Sequence, residues 1–308
     1  MRKVYLKKKW GQIQLIDLSK IIITGGEGMI AQELSFGIKL SRRQMDVTNK
    51  EQIKQVFSQI NPSGVICLSA ITDIKLCEQN PLYAYEVNVF GAYNLACEAS
   101  QRDIPFVLVS TGAVFNGPAE KLFNEEDIPN PKNIYGQTKY LAEIIIKTMM
   151  KKSIIVRTGW VFGGNSKKNR FSKFVNDLII PTTKDKNMIA TTDQKSSPTY
   201  VVDFSNKLKE IILSDYNGTI HLTNSGDGAS AMDVAKEIIL ITGNATKVNA
   251  AKIKEFNRNS PKRSMSESLI STKLKLRDWR EALKEYVLLF KKLKKIKYKS
   301  YITRTPGK

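Results

Sequence analysis

The stretch "KIIITGGEGMIAQEL", residues 20–34, decides how the rest of the chain is read. "KIIIT" (20–24) is rich in β-branched residues and reads as a strand. "MIAQELSFGIKL" (29–40) follows and reads as a helix. Glycines stand at 25, 26 and 28, between strand and helix. Glycine allows a tight turn and close backbone approach to a pyrophosphate, and a helix N-terminus supplies N–H donors. The spacing is G-x-x-G-x-x-A, on Gly25, Gly28 and Ala31, and it differs from G-x-G-x-x-G. Its third position packs helix on strand, so alanine there is a mild change. A bare glycine turn is the alternative; the strand before it and the helical pattern after it favour a nucleotide.

Outward from this junction the alternation continues. "KEQIKQVFSQI" (50–60) reads as a helix capped by Thr48 or Asn49, and "GVICLSA" (64–70) as a buried strand. A long helix over 81–101 opens on Pro81. "PFVLVST" (105–111) and "SIIVRT" (153–158) read as strands around a helix at 134–151. Apolar strands alternating with helices predict an α/β fold whose parallel sheet is covered on both faces. After residue 160 the pattern loosens. Helices return at 171–180, 201–213 and 230–242, with the strand-like "GTIHLTN" between the last two, and a final helix begins near Asp278.

Two patterns bear on chemistry. In "NIYGQTKYLAE" (133–143), Tyr135 and Lys139 stand four apart at a helix start, so their side chains share a face. A lysine ammonium nearby favours the phenolate, and a phenol tuned this way passes a proton to or from a carbonyl oxygen. An amphipathic helix with one exposed tyrosine is the alternative. Near the second strand, no acidic residue lies between Glu33 and Asp46 to take a ribose 2′-hydroxyl, whereas Arg42 and Arg43 offer partners for a 2′-phosphate. That leans to NADP(H) over NAD(H), against two merely exposed arginines.

Composition removes other classes. With one histidine, His221, and three scattered cysteines, Cys67, Cys77 and Cys97, a zinc site is excluded, as is a Ser-His-Asp triad unless His221 serves. His221 lies in a strand-like run and reads as a packed structural histidine. The cysteines fit a reduced, cytoplasmic setting. No apolar stretch is long enough for a transmembrane segment, and the N-terminus lacks the features of a signal peptide. The net charge of +20 concentrates at the ends: residues 1–20 carry +5 and residues 291–308 carry +8. Contact of these ends with nucleic acid or an anionic membrane competes with a solvated, lysine-rich surface, which the lack of a nucleic-acid motif favours. A basic body also suits an anionic small substrate.

The glycine motif, followed by Y-x-x-x-K about 110 residues later, resembles an extended short-chain dehydrogenase/reductase. "DVTN" (46–49), "SAITDIKLCE" (69–78), "VNVFGAYNLA" (87–96), "STGAVFNG" (110–117), "YGQTKYLAE" (135–143), "RTGWVFG" (157–163), "DQKSSPT" (193–199) and "DWREAL" (278–283) follow in the order of the dTDP-4-dehydrorhamnose reductase family. The resemblance implies a Rossmann-type doubly wound parallel sheet with a smaller C-terminal α/β substrate domain. It divides residues 20–290 into an NAD(P)-binding domain (20–160, interleaved with later segments) and a mainly sugar-nucleotide domain (161–290), and leaves a basic extension (1–19) and a basic tail (291–308) without counterpart. It implies reduction of the 4-keto group of a nucleotide-linked deoxysugar, in surface polysaccharide synthesis. Tyr135 would protonate the carbonyl oxygen, Thr111 would hydrogen-bond it with Ser110 as substitute, and Lys139 would hold the nicotinamide ribose and lower the tyrosine pKa. Gly25, Gly28, Met29, Ile30, Arg42, Asp46, Val47, Ala70, Ile71 and Thr72 would meet the cofactor, and Trp160 and Gly112 the sugar. Asn88 would be structural or cofactor-adjacent. Lys167, Lys168 or Arg170 would meet a diphosphate or remain solvated.

Where the family usually reads S-T-D-Y-V-F-D-G, this chain has Gly112 and Ala113 after Thr111, a change expected to enlarge or depolarise the pocket. That keeps two alternatives open: a reductase or epimerase/reductase on another nucleotide sugar, and a non-catalytic NADP-binding regulatory subunit. A homodimer stays open, and no metal motif is present.

Overall fold

The computed structural model describes residues 4–9, 12–164, 169–179, 188–256 and 262–302. An antiparallel pair, β1 (Val4–Lys9) and β2 (Gln12–Asp17), comes first, with Val4 opposite Asp17. The basic extension therefore holds backbone structure that its composition did not announce. There follow β3 (Ile21–Thr24), α1 (Met29–Glu33), β4 (Ile38–Leu40), α2 (Lys50–Ile60), β5 (Gly64–Cys67) and α3 (Ile74–Gln79). Then come α4 (Pro81–Tyr85), a π-helical turn over Glu86–Phe90, α5 (Gly91–Gln101), β6 (Phe106–Thr111), α6 (Ile134–Met149) and β7 (Ser153–Thr158). Asn49, not Thr48, caps α2, accepting from the Gln52 amide at 3.0 Å.

The first helix is shorter than its pattern predicts. It ends at Glu33, and the chain turns back through Gly37 (φ +77°) into β4. A Cβ on Gly37 would strike the side chain of Ile23. The glycine lets Ile38–Leu40 pair with β3, and a strand in a buried sheet wins over the helical period of the same residues.

In the second half, β8 (Trp160–Phe162), α7 (Arg170–Ile179), β9 (Met188–Thr191), β10 (Lys195–Ser196), β11 (Pro198–Tyr200), α8 (Val201–Leu213) and β12 (Gly218–His221) lead to β13 (Ala229–Ser230), α9 (Ala231–Thr242), β14 (Val248–Ala251), α10 (Ile253–Phe256) and α11 (Trp279–Ile302). The backbone of α11 carries the first residues of the basic tail, whose last six lie outside the described residues.

Six parallel strands form the central sheet in the order β12-β7-β6-β5-β3-β4. Alternate residues serve its two faces. Ile22, Val65, Phe106, Leu108 and Ile155 pack with Phe57, Leu95 and Ile146 of α2, α5 and α6. Ile21, Ile23, Ile66, Val107 and Val156 pack with Ala31 of α1 and with Phe204, Leu208 and Ile212 of α8. Thus α8 and β12 return from the second half to complete the sheet. A separate core holds Phe162, Val175, Leu178, Val234, Ile238, Trp279 and Leu283. In this sheet the direction of chain progression reverses between β3 and β5, and in open α/β sheets the crevice beyond the strand ends at such a reversal is where ligands bind.

Candidate active site

At that reversal the glycine turn meets the end of β5. Gly25 has φ +65°, and a Cβ on it would lie 3.0 Å from the Leu68 carbonyl carbon. The Gly28 amide donates to the Gly25 carbonyl at 2.8 Å, and Gly28 caps α1 with its backbone alone. Gly26 is equally constrained, since a Cβ there would lie 2.8 Å from the Leu40 amide nitrogen. Thr24 Oγ1 accepts from the Leu68 and Ser69 amides at 3.2 and 3.1 Å, tying β3 to the loop after β5. No side chain can fill this turn, and first-turn amides such as those of Met29 and Ile30 have no intrahelical acceptor. Both features suit a diphosphate. Met29 is buried and Ile30 half-buried.

The loop after β5 holds Ala70 and Ile71 half-buried and Thr72 exposed. Asn88, buried in the π-helical turn, clamps it. Its Oδ1 accepts from the Ile71 amide at 2.7 Å, and its Nδ2 donates to the Ile71 carbonyl at 3.1 Å and to Thr138 Oγ1 at 3.0 Å. Thr138 in turn donates to the Tyr135 carbonyl at 2.8 Å. Asn88 is thus structural, joining the loop to the helix of Tyr135. The wider turn has a purpose here, as π segments often do at sites.

Asn133 caps α6, accepting from the Gly136 amide at 2.9 Å. A Cβ on Gly136 would collide with the Ala113 carbonyl, so the start of α6 lies directly on the turn that follows Thr111. This contact brings Tyr135 to Thr111, whose hydroxyl lies within hydrogen-bonding reach of the phenol. Burial pushes the Tyr135 pKa up to about 12; the Thr111 hydroxyl opposes the shift, and the charges of Glu267 and Cys77 add to it. Lys139 is 3% exposed. Burial lowers its pKa, while Cys67 and Glu143 act the other way. The expectation that Lys139 pulls the tyrosine pKa down is therefore corrected for the protein alone. Desolvation dominates at Tyr135, and the lysine's charge partners are Cys67 and Glu143.

The remaining sequence-predicted residues ring this centre. Arg42, exposed beyond β4, pairs with Asp46 at 2.9 Å and donates to the Tyr83 hydroxyl at 2.5 Å. Asp46 also accepts from the Thr48 amide at 2.9 Å, and Val47 is buried with its carbonyl bonded to Asn94 at 3.0 Å. Trp160 is half-buried against Phe171, with ring centroids 4.9 Å apart. Arg170 pairs with Asp73 at 2.7 Å; Lys167 and Lys168 lie outside the described residues.

Gly112 departs from expectation. It is buried, and a Cβ on it would strike the carbonyl oxygen of Glu267. The space left by the missing side chain is filled by the 264–269 segment, not opened to the pocket. Sequence reasoning missed this segment because its serines carry no motif. It also missed the ion pair of Glu143 and Arg157, which a buried strand reading "IIVRT" hinted at. His221 is buried, as its strand context predicts.

Comparison with known proteins places the chain in sequence and fold. The chain is 29% identical over 282 residues to the spore coat polysaccharide biosynthesis protein SpsK of Bacillus subtilis, covering 88% of this chain and 97% of that one. The structure of a dTDP-4-dehydrorhamnose reductase ortholog from Clostridium acetobutylicum matches with a TM-score of 0.80 and 31% identity, over 88% of this chain and 99% of that one. The dTDP-4-dehydrorhamnose reductase of Bacillus anthracis, solved in complex with NADP, matches with a TM-score of 0.79 and 27% identity, over 87% and 98% of the two chains. UDP-glucose 4-epimerase of Thermotoga maritima, at 20% identity and a TM-score of 0.72, shares the fold. Residues 19–291 match the model of the RmlD substrate binding domain, and the chain belongs to that family.

Proposed function

We propose that this protein is an NAD(P)H-dependent reductase of the 4-keto group of a nucleotide-linked deoxysugar, serving surface polysaccharide synthesis. The observation that carries the reading is the convergence of Thr111, Tyr135 and Lys139 at the strand ends beside a side-chain-free glycine turn. Family membership supports it, as do relatives named dTDP-4-dehydrorhamnose reductase and dTDP-4-keto-6-deoxy-D-glucose reductase. Residues 20–160, with α8 and β12, would form the dinucleotide half, and most of the remainder to residue 290 the sugar half.

Gly25, Gly28, Met29 and Ile30 would hold the diphosphate of the cofactor, Arg42, Asp46 and Val47 its adenosine end, and Ala70, Ile71 and Thr72 its middle. A reduced nicotinamide supplies a hydride when bound. Tyr135 keeps its proton through the neutral range, because burial holds its pKa near 12. It therefore stands ready to donate that proton to a carbonyl oxygen as negative charge builds there, with the Thr111 hydroxyl as second donor. Lys139 would hold the nicotinamide ribose and place a cation beside the phenolate left behind. Trp160 would line the sugar site.

Arg42, just beyond β4, favours NADP(H), since a guanidinium suits a 2′-phosphate. The buried Cys67 and Cys77, free thiols both, favour a reducing cytoplasm. Among the described residues no helix is long and apolar enough to cross a membrane. The regulatory-subunit alternative has no observation in its favour. The test is oxidation of NADPH and NADH with a dTDP-4-keto-6-deoxy sugar. Oxidation abolished by Tyr135→Phe supports the reading, and no oxidation with any keto sugar refutes it.

A further inference from the structure

Glu267 stands where the two halves of the molecule meet. It is 8% exposed, and its Oε1 has no hydrogen-bond partner. Leaving a buried acceptor unpaired costs about 1–3 kcal/mol, so such an oxygen calls for an explanation. Nothing about its backbone is loose. The Ser266 amide donates to the Gly117 carbonyl at 3.1 Å and the Glu267 amide to the Lys195 carbonyl at 3.0 Å. The Phe123 amide donates to the Ser268 carbonyl at 2.8 Å, and the Leu269 amide to Ser197 Oγ at 2.8 Å. Its carbonyl abuts Gly112, the residue after Thr111, and its carboxyl lies close enough to Tyr135 to oppose formation of the phenolate.

Burial pushes this carboxyl up to about 7, with Arg263 acting the other way; the two form no ion pair among the described residues. The acid is therefore held in place, beside the reacting carbonyl's expected position, without a partner in the protein. A 4-keto sugar carries the missing partner, because the carbon on one side of its carbonyl, C3, bears a hydroxyl group. The family pattern places a carboxylate at position 112, where this chain has glycine, and here an acid comes from the opposite segment instead.

We infer that Glu267 is a specificity-determining residue whose carboxyl accepts a hydrogen bond from a sugar hydroxyl next to the carbon that Tyr135 serves. The inference rests on the nucleotide-sugar reading. A site built to hydrogen-bond a substrate hydroxyl loses heavily when either partner is removed, whereas contacts elsewhere on the ligand are untouched.

The test measures dissociation constants of dTDP and of a dTDP-linked 6-deoxyhexose, with NADP present, for wild type, Glu267→Ala and Glu267→Gln. Wild type should bind the sugar nucleotide more tightly than dTDP. Glu267→Ala should lose about tenfold or more for the sugar nucleotide and nothing for dTDP, with Glu267→Gln in between, since its amide oxygen still accepts. Glu267→Ala should melt at or above the wild-type temperature, because it removes a buried acid with an unpaired oxygen. Equal losses for both ligands, no loss for either, or a wild type that gains nothing from the sugar would overturn the proposal. The reductase reading is judged separately by oxidation of NADPH in the wild type, so either can fail without the other.

Discussion

Glu143 and Arg157 form a buried ion pair, with Arg157 Nη2 donating to Glu143 Oε2 at 2.7 Å and neither side chain more than 2% exposed. Glu143 lies one helical turn beyond Lys139 and also accepts from Ser110 Oγ at 2.5 Å. The pair therefore pins α6, with Tyr135 and Lys139, to the ends of β6 and β7. Breaking a buried pair strands a charge, so Arg157→Leu and Glu143→Leu should each destabilise by about 3–5 kcal/mol in urea unfolding. The double variant should lose much less than the two together; additive losses would refute the pairing.

Tyr135→Phe should lower turnover about 10²–10⁴-fold, the usual worth of a positioned proton donor. Cofactor affinity, measured by fluorescence titration, should stay at the wild-type value. A turnover within a few fold of wild type would remove the phenol from the chemistry.

Stability should fall on mild acidification. Nδ1 of His221 lies 3.1 Å from the Phe123 carbonyl and 3.0 Å from that of Ile270, so it carries the proton, and Nε2 faces Arg157. Burial pushes the His221 pKa down to about 4, against 6.5 unfolded. Between these values the unfolded chain binds a proton that the folded chain refuses. Stability is thus fully present above about pH 6.5 and declines by about 3 kcal/mol as pH falls to 4. At Glu125, burial alone would raise the pKa, but bonds from Ser271 and from the Thr272 and His221 amides hold it at about 2, so its contribution is lost lower, from pH 4.5 downward. Urea unfolding of His221→Asn should show a flatter slope between pH 6.5 and 4.5; an unchanged slope would rule out the histidine as its source.

Arg42→Ala should raise KM for NADPH by about tenfold and leave KM for NADH alone, since NADH has no 2′-phosphate for a guanidinium to pair with. Parallel increases for both cofactors would show that Arg42 merely supports Asp46 and Tyr83.

Gly112→Asp restores the residue of the family pattern, yet it should lower the melting temperature. Its Cβ would push against the Glu267 carbonyl, and overpacking of this kind costs about 1–3 kcal/mol. A stable Gly112→Asp variant would mean that the 264–269 segment yields easily.

Periodicity reveals most of the sheet and its helices, because Ile21–Thr24, Phe106–Thr111 and Ser153–Thr158 are apolar runs that must be buried on both faces. It misplaces the end of α1, where Gly37 decides, and cannot foresee β1 and β2, because the lysine run of β1 conceals a pairing that only backbone geometry specifies. The glycine turn and the Tyr135–Lys139 pair are legible because the chemistry demands fixed residue types at fixed spacing. Glu267 is not, since it reaches the site across some 150 residues of sequence, where no spacing rule applies. Asn88 falls between: a polar residue in an apolar helix signals a role, but only the Ile71 and Thr138 bonds say which.

The long return of the 264–270 segment also governs how the molecule is made. Emerging from a ribosome, the first 160 residues contain the glycine turn, Thr111, Tyr135 and Lys139, yet not the segment that packs against them. The site is completed only after residue 270 appears and threads back to Gly117 and Phe123. Such distant closure slows folding relative to local contacts. It also ties residues 266–270 to Gly117 and Phe123, so grafting the second half of a relative onto the first would have to rebuild that contact. A substitution in residues 264–270 is therefore felt on both sides of the segment, at Gly117 and Phe123 as well as at Lys195 and Ser197.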